Sequence, residues 1–328
     1  MSPRLRLGDV EGAREVLARH LRPTPLRESG AAPGVDLLLK LECWQPTGSF
    51  KVRGALNLLS TLGEEARRRG VVAASAGNHA LGVAFAASRL GGAVRATLFV
   101  PRTAPRSKVD KLRRFAVEVR ETGETYDDAV EAAHAFERET RAVYVHAYED
   151  PRTAAGQGTV GLEVLDECPE VATVLVPVGG GGLIAGLATA VKAKAKDVRV
   201  VAVQPEASPA LRESLRLGRA LLTYPAAPTL ADGLSGGIGR IVFDHRDLVD
   251  EVVTVSEEEI EEAIVALLAS DQVVAEASGA VGVAALRAGK VASVGRGPVV
   301  AVVTGGNIDA RVLALLLARR LPADGDAR

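Results

Sequence analysis

A chain of 328 residues, 47% hydrophobic and 25% charged, has the balance of an ordinary globular protein and is long enough for two domains. Forty basic residues against forty-one acidic ones leave a formal charge of −1, so nothing recommends a nucleic-acid partner. Two isolated cysteines, Cys43 and Cys168, make neither a disulfide framework nor a metal knuckle, residues 1–16 lack the apolar core of a signal peptide, and 179–191 is too short and glycine-rich to span a bilayer.

Along the chain, apolar runs at 36–43, 71–74, 94–100, 142–145, 173–178, 198–203 and 298–304 predict strands. Most are continuous rather than alternating, which suits a parallel sheet covered by helices on both faces. Helix-like stretches lie between them at 52–62, 78–90, 126–140 and 183–196. Ser256 with Glu259 forms a capping box for another helix, whose apolar face is Ile260, Ile264, Leu267 and Leu268. The alternation predicts an α/β protein with doubly wound open sheets. Composition marks no domain boundary, only a tail from Ala323. A cytoplasmic enzyme with no membrane partner is expected.

Glycine clusters carry the chemistry. Val176-Pro-Val-Gly-Gly-Gly-Gly-Leu183 ends a strand and opens a helix. Consecutive glycines leave backbone N–H groups uncovered, and the helix N-terminus adds partial positive charge, so Gly179, Gly180, Gly181 and Gly182 can hold a phosphate without a basic side chain. The plainer alternative is a tight strand-to-helix turn. Gly180-x-Gly182-x-x-Ala185 followed by Glu206 also fits a dinucleotide fingerprint, which would make the chain an NAD-dependent dehydrogenase. Four further segments pair polar residues with glycine: Lys40 to Ala55 (containing Pro-Thr-Gly-Ser-Phe-Lys51), Ser75-Ala-Gly-Asn-His79, Ala231-Asp-Gly233 and Thr304-Gly-Gly-Asn307. The second and the last follow predicted strands, where open α/β sheets bind their ligands.

Of eight lysines, Lys108 and Lys111 read as the solvated face of a basic helix, Lys192, Lys194 and Lys196 suit a helix C-terminus, Lys290 follows a helix end, and Lys40 lies in an apolar strand beside Glu42. Lys51 differs. It follows a turn and opens an apolar helix, where a cation is out of place and its pKa falls. A neutral amine is what Schiff-base chemistry requires.

The run Pro-Thr-Gly-Ser-Phe-Lys-x-Arg-Gly-Ala, with Ser75-Ala-Gly-Asn-His79, Gly156-Gln-Gly-Thr159, the tetraglycine and Thr304-Gly-Gly-Asn307 in order, resembles the pyridoxal-phosphate enzymes of the tryptophan-synthase-β fold, specifically the threonine/serine dehydratase and serine racemase group. The resemblance covers Thr24 to about Asp309. A dinucleotide fingerprint explains only one of these segments.

The resemblance implies a site. Lys51 would carry the cofactor in Schiff-base linkage, Phe50 would pack on its ring, Asn78 would bond the ring hydroxyl, and Thr304 would meet the ring nitrogen. Gly179 to Gly182 would cradle the phosphate, while Ser75, Gly77, Asn78 and His79 would offer donors to the substrate carboxylate. Glu276 matches an acid close to the cofactor. Residues 1–65 and 146–320 would form a large cofactor domain, 66–145 a small domain closing over the substrate, and 321–328 a tail; the protein would be a homodimer. The activity implied is β-elimination of L-threonine and L-serine to a 2-oxo acid and ammonia. A lyase for another hydroxy amino acid, a serine racemase and a non-catalytic ligand-binding relative are the alternatives.

Two departures matter. Where members of the group hold a divalent cation between two acids, this chain has Gln204 and Ala210, with Glu206 out of register. That argues against a divalent metal and leaves a monovalent ion on carbonyl oxygens open. Racemases carry a serine acid/base where this chain has Ala76, which points to a dehydratase. His20, His134, His146 and His245 lack glycine-loop context and read as surface or helix histidines, and Asp232 as a turn former with a direct substrate role as the alternative.

Overall fold

The computed structural model describes residues 4–291 and 295–320; the expected tail at 321–328 lies outside the described residues. Within them run ten strands: β1 (Leu26–Ser29), β2 (Leu37–Lys40), β3 (Val71–Ala74), β4 (Ala96–Val100), β5 (Glu118–Glu121), β6 (Val143–Tyr144), β7 (Thr173–Pro177), β8 (Arg199–Pro205), β9 (Glu251–Val255) and β10 (Val299–Val302). They form a six-stranded sheet in the order β1-β2-β10-β7-β8-β9 and a four-stranded sheet in the order β5-β4-β3-β6. Every pairing is parallel except β1 with β2. This is the doubly wound α/β architecture the apolar runs predict.

Three strands escape the sequence reading, β1, β5 and β9, and each is an outer strand of its sheet. An outer strand is not buried on both sides, so β1 reads Leu-Arg-Glu-Ser and β5 reads Glu-Val-Arg-Glu. The predicted strand 36–43 also shortens, because Glu42–Trp44 turns into a 3-10 helix.

One face of the six-stranded sheet is covered by the helices Glu257–Asp271 and Ala277–Arg287, through Ile260, Ile264, Leu267, Val281 and Val283. The other carries Pro151–Glu167 and Gly182–Lys194, through Val160, Ile184 and Leu187. The helix Lys51–Ser60 sends Val52, Leu56 and Leu59 into the cluster that also takes Val71 and Ala73 from the four-stranded sheet. It therefore sits between the two sheets.

Glycines set the distances here. A Cβ on Gly54 would lie 2.6 Å from the Thr153 carbonyl, and one on Gly156 would lie 2.7 Å from the Gly54 Cα. A Cβ on Gly158 would meet the Gly186 backbone at 2.7 Å. The helices Lys51–Ser60, Pro151–Glu167 and Gly182–Lys194 thus stack backbone against backbone, and the first residue of the first is fixed relative to the first residue of the third.

Candidate active site

Both helix starts face the site. Lys51 is the first residue of its helix, and the hydrogen bond from the Phe50 N–H to the Thr304 carbonyl (3.0 Å), with the isolated bridge between Ser49 and Gly305, stitches its turn to the loop after β10. Its ammonium donates to the Ala147 carbonyl at 3.1 Å and lies 5.0 Å from the centre of the Phe50 ring. Burial pushes the Lys51 pKa down to about 8, with Glu276 opposing the shift. The lowering expected from the helix start therefore has burial as its cause.

The tetraglycine closes β7 into the next helix. A Cβ on Gly180 would collide with the Tyr148 ring, and one on Gly181, whose φ is +88°, with Val242. A Cβ on Gly179 would lie 2.8 Å from the Gly233 carbonyl, and one on Gly182 2.9 Å from the Tyr148 backbone. These glycines are required by their protein neighbours, a reason beyond the ligand access that the sequence suggests. None of the Gly179, Gly180 or Gly181 N–H groups donates to a protein acceptor among the described residues, and the first turn of a helix leaves its own N–H groups free. An anion such as a cofactor phosphate fits this cradle.

The other expected residues make contacts of their own. Thr304 is buried, with its hydroxyl 3.4 Å from the Ser278 carbonyl. Ser75 accepts the Gly77 N–H at 3.1 Å, so this loop is braced by its own hydroxyl. The Asn78 amide donates to Glu276 at 2.6 Å and accepts from Asn307 at 2.8 Å. Burial pushes the Glu276 carboxyl up to about 7 against the bond from Asn78. The His79 ring lies 2.7 Å from the Val145 carbonyl, and burial next to Lys51 pushes its pKa down to about 3. The ring is spent on that carbonyl, which leaves the backbone N–H as the donor His79 can offer. The Ser49 hydroxyl, which the sequence reading passes over, is fully buried without a hydrogen-bond partner among the described residues and lies two residues from Lys51.

Several surface readings need correction. Lys111 and Lys108 do not form a free solvated face: from the helix Arg106–Leu112 they reach Asn307 at 3.3 Å and Asp232 at 3.4 Å. His245 is buried between the Leu5 N–H and the Ile241 carbonyl, and His146 accepts the Tyr148 and Glu149 N–H groups beneath the Tyr148 ring. Lys40, read from the sequence as lying in an apolar strand, is indeed fully buried at the end of β2 and paired with Glu163 and Glu167. Gln204, also buried, donates to the Val178 carbonyl and accepts the Leu211 and Arg212 N–H groups, and Ala210 begins a helix beside it. Its amide thus spans the strand end that leads into the tetraglycine.

Known proteins resemble this chain in sequence and in fold. The chain is 45% identical over 324 residues to an L-threonine ammonia-lyase of Thermotoga maritima, covering 97% of this chain and 80% of that protein. The solved structure of maize serine racemase superposes with a TM-score of 0.90 at 32% identity, covering 97% of this chain and 98% of the other. The processed form of threonine deaminase isoform 2 from Solanum lycopersicum superposes with a TM-score of 0.86 at 32% identity, covering 95% of this chain and 86% of the other. The family described as pyridoxal-phosphate dependent enzyme matches residues 17–305. With its lysine, cradle and two sheets so arranged, this chain belongs to the pyridoxal-phosphate-dependent enzymes.

Proposed function

We propose that this protein is a pyridoxal-phosphate-dependent ammonia-lyase that removes the β-hydroxyl of L-threonine, and of L-serine, to give a 2-oxo acid and ammonia. The observation that carries the reading is Lys51: a buried amine brought near neutrality, on a helix start held at a fixed distance from an anion cradle. Likeness to the Thermotoga maritima L-threonine ammonia-lyase over nearly the whole chain supports the substrate class.

Bound pyridoxal phosphate supplies an electron sink for charge developing at the substrate Cα. The chain's residues do the rest. Gly179 to Gly182 and the helix behind them would hold the phosphate, Phe50 would pack on the ring, Asn78 would bond the ring hydroxyl and Thr304 would meet the ring nitrogen. The Lys51 amine takes the Cα proton, a task for which a pKa near the working pH is suited. Ser75, Gly77, Asn78 and His79 meet the substrate carboxylate with their loop's hydrogen-bond donors. Residues 66–145 form the unit that closes over the substrate and excludes water, against a larger unit of 1–65 and 146–320. The protein works in the cytoplasm as a homodimer; no described helix is long and apolar enough to cross a membrane.

A racemase is the second reading, favoured by the match to maize serine racemase. Ala76 argues against it, since a methyl group has no proton to deliver. Incubation of the holoenzyme with L-threonine, with detection of the keto acid, tests the main reading. Turnover abolished by Lys51→Ala is expected; keto acid at the same rate from that variant would overturn the assignment.

A further inference from the structure

We propose that Lys111, reaching over from the four-stranded-sheet side, is a positioning residue that fixes the direction of an Asn307–Asn78 amide relay and so holds Glu276 as a hydrogen-bond acceptor. The inference rests on the ammonia-lyase reading only in placing Glu276 at the working site.

The relay has a defined polarity. Lys111 donates to Asn307 Oδ1 at 3.3 Å. Asn307 Nδ2 donates both to the Thr47 carbonyl and to Asn78 Oδ1, each at 2.8 Å. Asn78 Nδ2 then donates to Glu276 Oε1 at 2.6 Å. The Asn307 amide is seated over Gly48, whose φ is +73° and where a Cβ would lie 2.9 Å from both amide heteroatoms.

An amide has one accepting end and one donating end, so a chain of two can run in either direction. Reversed, Asn78 would offer its oxygen to Glu276, which must then carry a proton, and Asn307 would turn its NH2 toward Lys111. A lysine ammonium has only donors, so that last contact sets donor against donor. Reversal would also set the Asn307 oxygen against the Thr47 carbonyl. Lys111 therefore favours the direction in which Glu276 accepts, that is, its ionised form.

Other charges face Glu276: Lys108 and Lys51 favour its ionised form, Asp232 opposes it, and the Cys43 thiol lies nearby. The Asn307 N–H also bonds to its carboxylate. Lys111 is distinct in acting along the relay, because its contact is with an amide oxygen rather than with a carboxylate.

The test reads Glu276 directly. Holoenzyme labelled with carbon-13 at the glutamate carboxyl is titrated by NMR, and the Glu276 signal is assigned by its loss in Glu276→Gln. In Lys111→Met the titration midpoint should rise by roughly half to one pH unit, what one lost hydrogen bond yields. Lys111→Arg should restore the midpoint to the unmodified value. Asn307→Ala cuts the relay, so adding Lys111→Met in that background should shift nothing further. An unchanged midpoint in Lys111→Met, or a full Lys111→Met shift persisting in Asn307→Ala, overturns the proposal. Because the readout needs no turnover, a failure of the L-threonine assay leaves this test standing.

Discussion

Arg53, two residues beyond Lys51, lies in a cluster of buried charge with Glu42 and Glu163, and its removal gives a calculable loss. Its guanidinium forks Glu42 through Nε and Nη2, each at 2.7 Å, and Glu163 through Nη1 and Nη2 at 2.6 and 2.7 Å, with the Thr159 hydroxyl at 3.0 Å. Burial alone would lower the Arg53 pKa, yet the two carboxylates hold it above its ordinary value. In Arg53→Met, Glu163 keeps Lys40 at 2.9 Å, but Glu42, fully buried, keeps among the described residues only Thr24 and Gln45, two neutral donors. Removing one partner of a buried pair costs about 3–5 kcal/mol, because the other charge is left uncompensated. At ~2–4 °C per kcal/mol the melting temperature should fall on the order of 6–20 °C. Arg53→Lys should lose most of the same stability, since a point charge cannot bridge two carboxylates in one plane. Adding Glu42→Gln to Arg53→Met should recover part of the loss, because the stranded charge is then gone. The assay is thermal unfolding by circular dichroism on all three variants and the unmodified chain. A loss under ~1 kcal/mol in Arg53→Met, or a double variant less stable than the single, would refute the reasoning.

Four shorter expectations follow. Gly158→Ala sets a methyl 2.7 Å from the Gly186 backbone and should weaken cofactor retention on dialysis more than it lowers the melting temperature; full retention would contradict the spacing argument. His79 and His146 are held near about 3 and about 4 against an ordinary 6.5, while Glu276 protonates near about 7 against 4.5. From pH 6.5 to 4.5 unfolding therefore takes up two protons and releases one, and these groups cost ~1.4 kcal/mol of stability per unit of acidification; a urea midpoint that rises on acidification would contradict this. Chelation should leave activity intact, because Gln204 and Ala210 supply no carboxylate; loss restored by magnesium or calcium would show otherwise. L-serine should give keto acid with D-serine below roughly a hundredth of turnover, the scale of a missing acid/base group, and Ala76→Ser should raise it; chiral chromatography showing comparable D-serine and pyruvate would contradict the role given to Ala76.

The interior of both sheets was legible because strands covered on two faces must be apolar throughout, as 173–178 and 198–203 are. The outer strands β1 and β5 were not, since one side of each meets no neighbour and polar residues there cost nothing. Within the site, Lys51 and the tetraglycine stood out through local motifs. The links from Lys111 to Asn307 and from Asn78 to Glu276 span 196 and 198 residues of chain, so no local spacing could reveal them. The same holds for His245, which is buried and takes the Leu5 N–H from 240 residues away. Lys40 shows the limit most plainly: an apolar setting beside Glu42 was visible, but its partners Glu163 and Glu167 come from a helix on another element.

The stacked glycines of the three central helices act as a gauge block. Where helices meet through side chains, their separation can drift as rotamers exchange or as temperature loosens the packing. At Gly54, Gly156, Gly158 and Gly186 there are no rotamers to exchange, so the separation is set by hard backbone contact. The reach between the Lys51 amine and the Gly182 helix start should then hardly change across the protein's working temperatures, even while outer helices loosen. It also means that this dimension cannot be tuned in small steps. The smallest side chain available is already too large, so any change arrives as a jump in helix position.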